Sequence, residues 1–361
     1  MALSKIDSDG IVANGITADS LNIGQIGGRR NLIINGAMVQ DQRNGGSSVT
    51  PTASGTYTLD RWRANISVSS KFSVQQSTEA PANHTNSLLV TSLAATTVSA
   101  SNQYFIGTRL EGYNIAHLKF GTADAQSITL SFWVRSSLTG TFGAGVFNSA
   151  ANRCYPISYT ISSANTWEQK TVTIPGDTSG TWLTNNGVGL QLIFSLGIGS
   201  TFQGTAGAWT SSAHLTASST VNLVETNGAT LYITGVQLEV GSVSTPYEHR
   251  SFGDELALCQ RYYQYYDSTD RLSAWGSANS TYIFTANVLE KPMRAQPTVS
   301  LSGAATFDAY HRSSYNQSSA NIHRNSGSKN AVILQLGNFS GITQGDPGGI
   351  YNATIKIDAE L

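Results

Sequence analysis

Between residue 31 and about residue 250, apolar and polar side chains alternate in short runs, the period of strands that bury one face. Within residues 128–135, Ile128, Leu130, Phe132 and Val134 share one parity, and Thr129, Ser131, Trp133 and Arg135 share the other. Residues 189–196 repeat the device with Leu190, Leu192, Phe194 and Leu196 inward. The run that starts at Lys170 stops at Pro175, which has no N–H with which to extend a ladder. Along residues 231–240 the phase slips, with Leu231 and Ile233 on one parity and Val236, Leu238 and Val240 on the other, so a β-bulge is predicted at Gly235. Many short strands spaced about ten residues apart, with Gly, Ser and Asn between them, predict an all-β chain whose residues 31–250 form an antiparallel β-sandwich of the jelly-roll type.

The ends of the chain follow other rhythms. Ile6, Ile11, Ile16, Leu21 and Ile26 recur every five positions, which suits neither helix nor strand. One chain cannot bury so thin a stripe, whereas parallel copies could close their stripes around a common axis, so residues 1–30 read as an extended stalk or anchor. Residues 251–266 carry helix formers behind an acidic start, with Ser251 or Asp254 as N-cap, and predict a short linking helix over about 254–265. Leu256, Cys259, Tyr262 and Tyr263 on its two apolar stripes are expected to pack in a core or between subunits. Residues 267–361 predict a smaller β-domain closed by a fault-free alternation in which Tyr351, Ala353, Ile355, Ile357, Ala359 and Leu361 face inward. Residues 307–327, poor in aliphatics, read as exposed loops or an edge hairpin.

Only 12% of residues are charged, half the usual share, and the formal net charge is -1. Without a net positive field the chain has no means to attract nucleic acid, and without an apolar run of about 20 residues it has no helix to insert in a membrane. Cys154 and Cys259 lie too far apart to suggest a disulfide framework and read as buried thiols. The first ten residues have neither the basic start nor the apolar run of a signal peptide, so synthesis and folding in a cytoplasm are expected.

Binding rather than catalysis is the expectation. The acids are few and scattered, no glycine-rich phosphate loop follows a strand, and no nucleophile elbow appears. Asp254 and Glu255 suit a helix N-terminus, and His311 and His323 are too far apart for a helical metal pair. No cofactor is expected, although a structural calcium near Asn35 and Glu239 stays open. Sugars are gripped by aromatic faces against the apolar side of a pyranose ring, with amides and carboxylates alongside. The candidates are Trp133, on the polar parity of its strand, Trp182 and Trp209, in Gly-, Ser- and Thr-rich connections, and Tyr310, His311 and Tyr315 in the C-terminal domain. Each tryptophan has an alternative reading as packing against a loop or a subunit.

Seven stretches carry a resemblance in a fixed order: residues 30–45 (RNLIINGAMVQDQRNG), 57–63 (YTLDRWR), 130–136 (LSFWVRS), 166–168 (TWE), 235–241 (GVQLEVG), 245–250 (TPYEHR) and 259–263 (CQRYY). Together they resemble tail fibre proteins of tailed bacteriophages, above all those of marine bacteria and cyanobacteria, and the middle region is similar to a carbohydrate-binding module of the jelly-roll kind. The resemblance implies a homotrimer in the virion, joined through its N-terminal segment to other tail, nozzle or baseplate proteins, with a distal tip that meets host surface polysaccharide. Two other classes stay open: a purely structural virion part, such as a baseplate collar or capsid decoration, and a tailspike that degrades glycans.

Overall fold

The computed structural model describes residues 29–270, 272–276, 281–309, 314–317 and 321–361. Most of the predicted stalk, with Ile6, Ile11, Ile16, Leu21 and Ile26, lies outside the described residues, as do Tyr310 and His311. One compact unit ends at Arg250 and a second spans Ser251–Leu361.

In chain order the first unit contains β1 (Thr56–Leu59), β2 (Trp62–Asn65), β3 (Phe72–Ser77), β4 (Ser87–Ser92), β5 (Gln103–Glu111), β6 (Ile128–Ser136), β7 (Gly140–Phe147), β8 (Cys154–Ile161), β9 (Glu168–Ile174), β10 (Val188–Ile198), β11 (Gln203–Gly204), β12 (Thr216–Ala217) and β13 (Thr230–Val240). Among the described residues these make a six-stranded sheet, β1-β2-β5-β10-β7-β8, a five-stranded sheet, β3-β4-β13-β6-β9, and the small parallel pair β11-β12. All ladders in the two large sheets are antiparallel. Their inner faces share one core, in which Trp62, Ile106, Leu192 and Phe194 of one sheet meet Val74, Leu130, Phe132 and Leu231 of the other. The Phe132 ring stands edge-on to Phe194 at 4.9 Å and to Tyr159 at 5.1 Å, which ties the two sheets together at the centre. The all-β antiparallel sandwich expected from alternation is the fold found.

The inward sets predicted for residues 128–135 and 189–196 are all fully buried, and β9 ends one residue before Pro175. The bulge falls where the phase slip placed it: the β13–β6 register shifts between Thr234 and Gln237, and Gly235 has φ +60°.

Three of the motif stretches converge on one lock. Leu32 N donates to Leu238 O at 2.8 Å and Val236 N to Gly36 O at 2.9 Å, so residues 31–36 run along the bulged end of β13. Gly36 is obligatory there, because a Cβ would sit 2.1 Å from Val236 O. Glu248 accepts from Arg30 N (3.0 Å), Asn31 N (2.9 Å) and Arg250 Nη2 (3.1 Å), while Arg250 Nη1 donates to Ile33 O at 3.1 Å. Burial alone would raise the Glu248 carboxyl, but those N–H groups and the guanidinium hold it below the usual range.

In the second unit a helix, Phe252–Gln260, leads into β14 (Tyr263–Tyr266), β15 (Leu272–Gly276), β16 (Ile283–Val288), β17 (Thr298–Ala309), β18 (Ser314–Gln317), β19 (Asn321–Gly327), β20 (Ala331–Gly337) and β21 (Pro347–Asp358). Among the described residues they form an eight-stranded antiparallel sheet in which β21 pairs with β17 along one edge and with β15 and β14 along the other. Ile283, Phe307, Leu334, Leu336, Ile355 and Ile357 belong to its core.

Ser251 is the N-cap, its Oγ accepting from Asp254 N at 3.1 Å. The helix stops earlier than predicted. Tyr-Tyr-Gln-Tyr-Tyr favours strand, and residues 263–266 take the ladder offered by Asp358–Ile355 instead of another helical turn. The helical stripes assigned to Tyr262 and Tyr263 therefore do not exist. Cys259, Tyr262 and Tyr263 are already buried in one chain, which leaves them no face for a second subunit, and Leu256 is half-buried. The last alternation also has a fault: Asn352 has φ +60°, so Ile350 is buried and Tyr351 is half-buried, while Ala353, Ile355, Ile357 and Ala359 face inward as predicted.

Candidate functional site

The solvent side of the five-stranded sheet carries aromatic groups that the core does not use. Tyr232 lies opposite the buried Leu231 and Ile233 on β13, and Trp133 lies opposite Phe132 and Val134 on β6. Register sets Tyr232 beside Arg135 and Thr234 beside Trp133, so Trp133 and Tyr232 are diagonal neighbours on one face. The Arg135 guanidinium sits over the Tyr232 ring at 5.1 Å and pairs with Glu79 at 3.1 Å. Trp167, in the connection just before β9, meets the same ring edge-on at 6.1 Å. Gln169, exposed on β9, pairs with Trp133 in register.

The bulge extends this tract. Since Gly235 has no side chain, the His84 ring approaches its backbone beside Trp133. His84 in turn meets Tyr247 at 5.1 Å and His249 at 5.4 Å. Burial, then the neighbouring His249, lowers the His84 pKa to about 4, so it is a neutral ring at physiological pH. Trp133, Trp167, Tyr232, Tyr247 and His84 are all half-buried and His249 is exposed. The result is a run of rings mounted on a rigid sheet, flanked by a carboxylate, a guanidinium and an amide. Such a surface can stack the apolar faces of sugar rings and bond their hydroxyls.

Of the predicted site residues that the structure describes in the first unit, Trp133 joins this tract. Trp182 is in a connection, as expected, but it is just 7% exposed. Its Nε1 donates to Asp177 Oδ2 and Ser179 O, both at 3.2 Å, and its ring packs against Phe120 and Trp209. Trp209 is half-buried, donates to Pro175 O at 2.7 Å and stands edge-on to Tyr155 at 5.2 Å. Both rings pack under their loops as the alternative reading has it, Trp182 buried and Trp209 half-buried against the core. Tyr315 pairs with Phe307 in the β17–β18 ladder. Asn35 and Glu239, the two residues considered for a structural calcium, both bond within the chain. Glu239 Oε1 accepts from Gln237 Nε2 and Thr245 N (both 2.9 Å) and Oε2 from Thr245 Oγ1 (2.6 Å), whereas the Asn35 amide bonds the carbonyls of Gln40 and Asp60. Among the described residues no group of three or more His, Cys, Asp or Glu is placed to hold a metal. Both cysteines are free and buried, and burial raises the Cys154 thiol to about 12.

No protein-family model matches the sequence, and no curated protein matches it. Among solved structures, the enzymatically active domain of tailspike protein 4 of bacteriophage CBA120 overlaps 58% of this chain at 12% identity and a TM-score of 0.29, and the overlap spans 21% of the tailspike chain. A family 11 carbohydrate-binding module of Clostridium thermocellum overlaps 56% of this chain and 99% of its own, at 9% identity and a TM-score of 0.29. A xylan-binding family 22 module of Paenibacillus barcinonensis covers 56% and 99%, at 11% identity and a TM-score of 0.28. At such scores the overlaps carry no argument about what this chain does.

Proposed function

We propose that the chain is a non-enzymatic tail-fibre subunit of a tailed bacteriophage, and that it attaches the virion to its host by binding surface glycans on the aromatic tract of the five-stranded sheet. The observation that carries this reading is the placement of Trp133, Trp167 and Tyr232 on the solvent side of a sheet whose inner face already has a full apolar complement. Rings on that side add nothing to the core, and a surface with few charges suits a neutral polymer. The ordered motifs of the sequence supply the tail-fibre context. In this reading residues 1–30 join three copies to one another and to the tail or baseplate. Weak contacts repeated across three copies and several fibres then combine through effective concentration, so that a weak single site still holds a virion.

The test compares retention of purified protein on host cells and on extracted host polysaccharide. Trp133→Ala and Trp167→Ala should each weaken retention at least tenfold with the fold intact. Trp182→Ala should instead destabilise by about 3–5 kcal/mol, since it removes a buried indole. Retention by both tract variants equal to that of the unaltered protein would refute the assignment.

A further inference from the structure

The eight-stranded sheet of the second unit gives one face to its core and turns large apolar side chains out on the other. On β15, β16 and β20 the inward residues Ala274, Ile283, Val332, Leu334 and Leu336 are buried. Strand alternation therefore points Trp275, Phe284, Val288 and Ile333 outward. Trp275, Val288 and Ile333 are 41%, 82% and 43% exposed, and Phe284 is half-buried. Single exposed apolar residues are ordinary, but these four share three adjacent strands.

Register orders them. Trp275 pairs with Pro347 of β21 on one side and with Phe284 on the other, and Phe284 pairs with Gln335 of β20. The Trp275 and Phe284 rings are nearly parallel, 24° apart with centroids at 6.2 Å. Their row crosses four strands, a straight span of about 14 Å at the usual strand spacing. Ala286, paired with Ile333, leaves a low step between Phe284 and Val288 along β16. The row and this step are uncharged. Charged residues flank them: Arg271 and Asp346 precede β15 and β21, Glu290 and Lys291 follow β16, Lys329 lies just before β20, and Arg324 of β19 pairs with Gln335 in register.

The size of the face decides what covers it. Trp275, Val288 and Ile333 expose roughly 300 Å² between them, the scale of patch that marks an interaction site. A stable protein interface takes about 800 Å² from each partner, so a second folded protein is a poor fit. A flat, uncharged chain of sugars fits better. Two nearly parallel rings in a straight row can take the apolar faces of consecutive pyranose units, and the Gln335 amide at the end of the row can bond hydroxyls. A chain whose linkages make it coil would leave a straight row after one unit. We propose that the outer face of β15 and β16, centred on Trp275 and Phe284 with Gln335 beside them, is a second glycan site, and that it takes an uncharged, β-1,4-linked pyranose chain. The site is built from the second unit alone and stands or falls without the aromatic tract of the first.

The experiment labels the full chain with 5-fluorotryptophan, assigns the Trp275 ¹⁹F signal with Trp275→Phe, and adds cellohexaose, β-1,4-mannohexaose or the coiled α-linked maltohexaose to millimolar concentration. At least one β-linked chain should shift the Trp275 signal saturably and bind at least tenfold more tightly than maltohexaose. Phe284→Leu, which removes one ring and keeps an apolar side chain in the ladder, should weaken that response at least tenfold. Should Phe284→Leu lower the melting temperature, Gln335→Ala decides by the same signal, with a loss of at least threefold. Trp133→Ala should leave the Trp275 response unchanged, which separates this site from the one on the five-stranded sheet. A Trp275 signal unmoved by both β-linked chains, equal binding of maltohexaose, or undiminished binding by the deciding variant would overturn the proposal. So would a Trp275 signal that follows protein concentration instead of sugar, since a second copy would then cover the face.

Discussion

Replacing Gly235 by alanine places a methyl group where the bulge has none. An ideal Cβ there lies 2.8 Å from His84 Cε1 and 3.1 Å from Trp133 Cδ1, and the backbone must hold φ +60°. The left-handed conformation costs a non-glycine residue about 1–2 kcal/mol. Pushing two half-buried rings aside adds about 1–2 kcal/mol, the low end of overpacking, since both can move outward. The sum, about 2–4 kcal/mol, corresponds to a fall of about 4–12 °C in melting temperature for a unit of this size. Gly228 isolates the first contribution: it has φ +76° and nothing within 4 Å of its ideal Cβ, so Gly228→Ala should cost only the backbone share. Calorimetry and tryptophan emission read both variants. Gly235→Ala should melt lower than Gly228→Ala, alter the Trp133 contribution to emission and weaken glycan retention, whereas Gly228→Ala should leave emission and retention unchanged. Equal melting temperatures with unchanged emission would refute the close approach of His84 and Trp133 to the bulge.

Two further predictions concern pH. Burial raises the Asp60 carboxyl to about 6, above its value of about 4 in the unfolded chain, so the folded state holds the proton more tightly and stability falls as pH rises from about 4 to 6. Asp60→Asn should therefore gain about 1–3 kcal/mol at pH 7.5, with the gain shrinking toward pH 4.5 in urea titrations; a gain independent of pH would contradict the cause. Glu248 has the opposite sign. Its folded pKa is lowered, so its contribution is present above the unfolded value near 4.3 and is lost as pH falls through the folded one. Glu248→Gln should cost about 2 kcal/mol at pH 7 and progressively less in acid, and a neutral effect at pH 7 would remove Glu248 from the lock.

The sandwich was legible because its central strands bury strict parities: Leu130 and Phe132, Leu192 and Phe194. Even the bulge could be read, since one slipped residue at a glycine leaves a mark in the pattern. Alternation cannot say which solvent-side rings will meet. Trp133 stood out by lying opposite its strand's apolar parity, and Tyr232 carries the same signal opposite Leu231 and Ile233. Trp167 and His84 reach the tract from connections, where parity gives no direction. The same gap explains Trp182 and Trp209: a Gly- and Ser-rich stretch locates a loop but not whether its ring turns inward, and Phe120 and Tyr155, which receive them, are distant in sequence. In the helix, propensity through Gln260 competed with a strand-forming run of tyrosines, and pairing with β21 decided the outcome. The stretches 30–45, 235–241 and 245–250 that carry the resemblance to tail fibres also build the lock around β13, so in this chain they have a folding role.

The most direct test of the proposed glycan site labels the six tryptophans with 5-fluorotryptophan and follows their ¹⁹F signals as host polysaccharide fragments are added. The signals of Trp133 and Trp167 should shift with fragment concentration, while those of Trp62, Trp182 and Trp209 stay in place. Fragments that bind while leaving the Trp133 and Trp167 signals unmoved would contradict the aromatic tract as the glycan site.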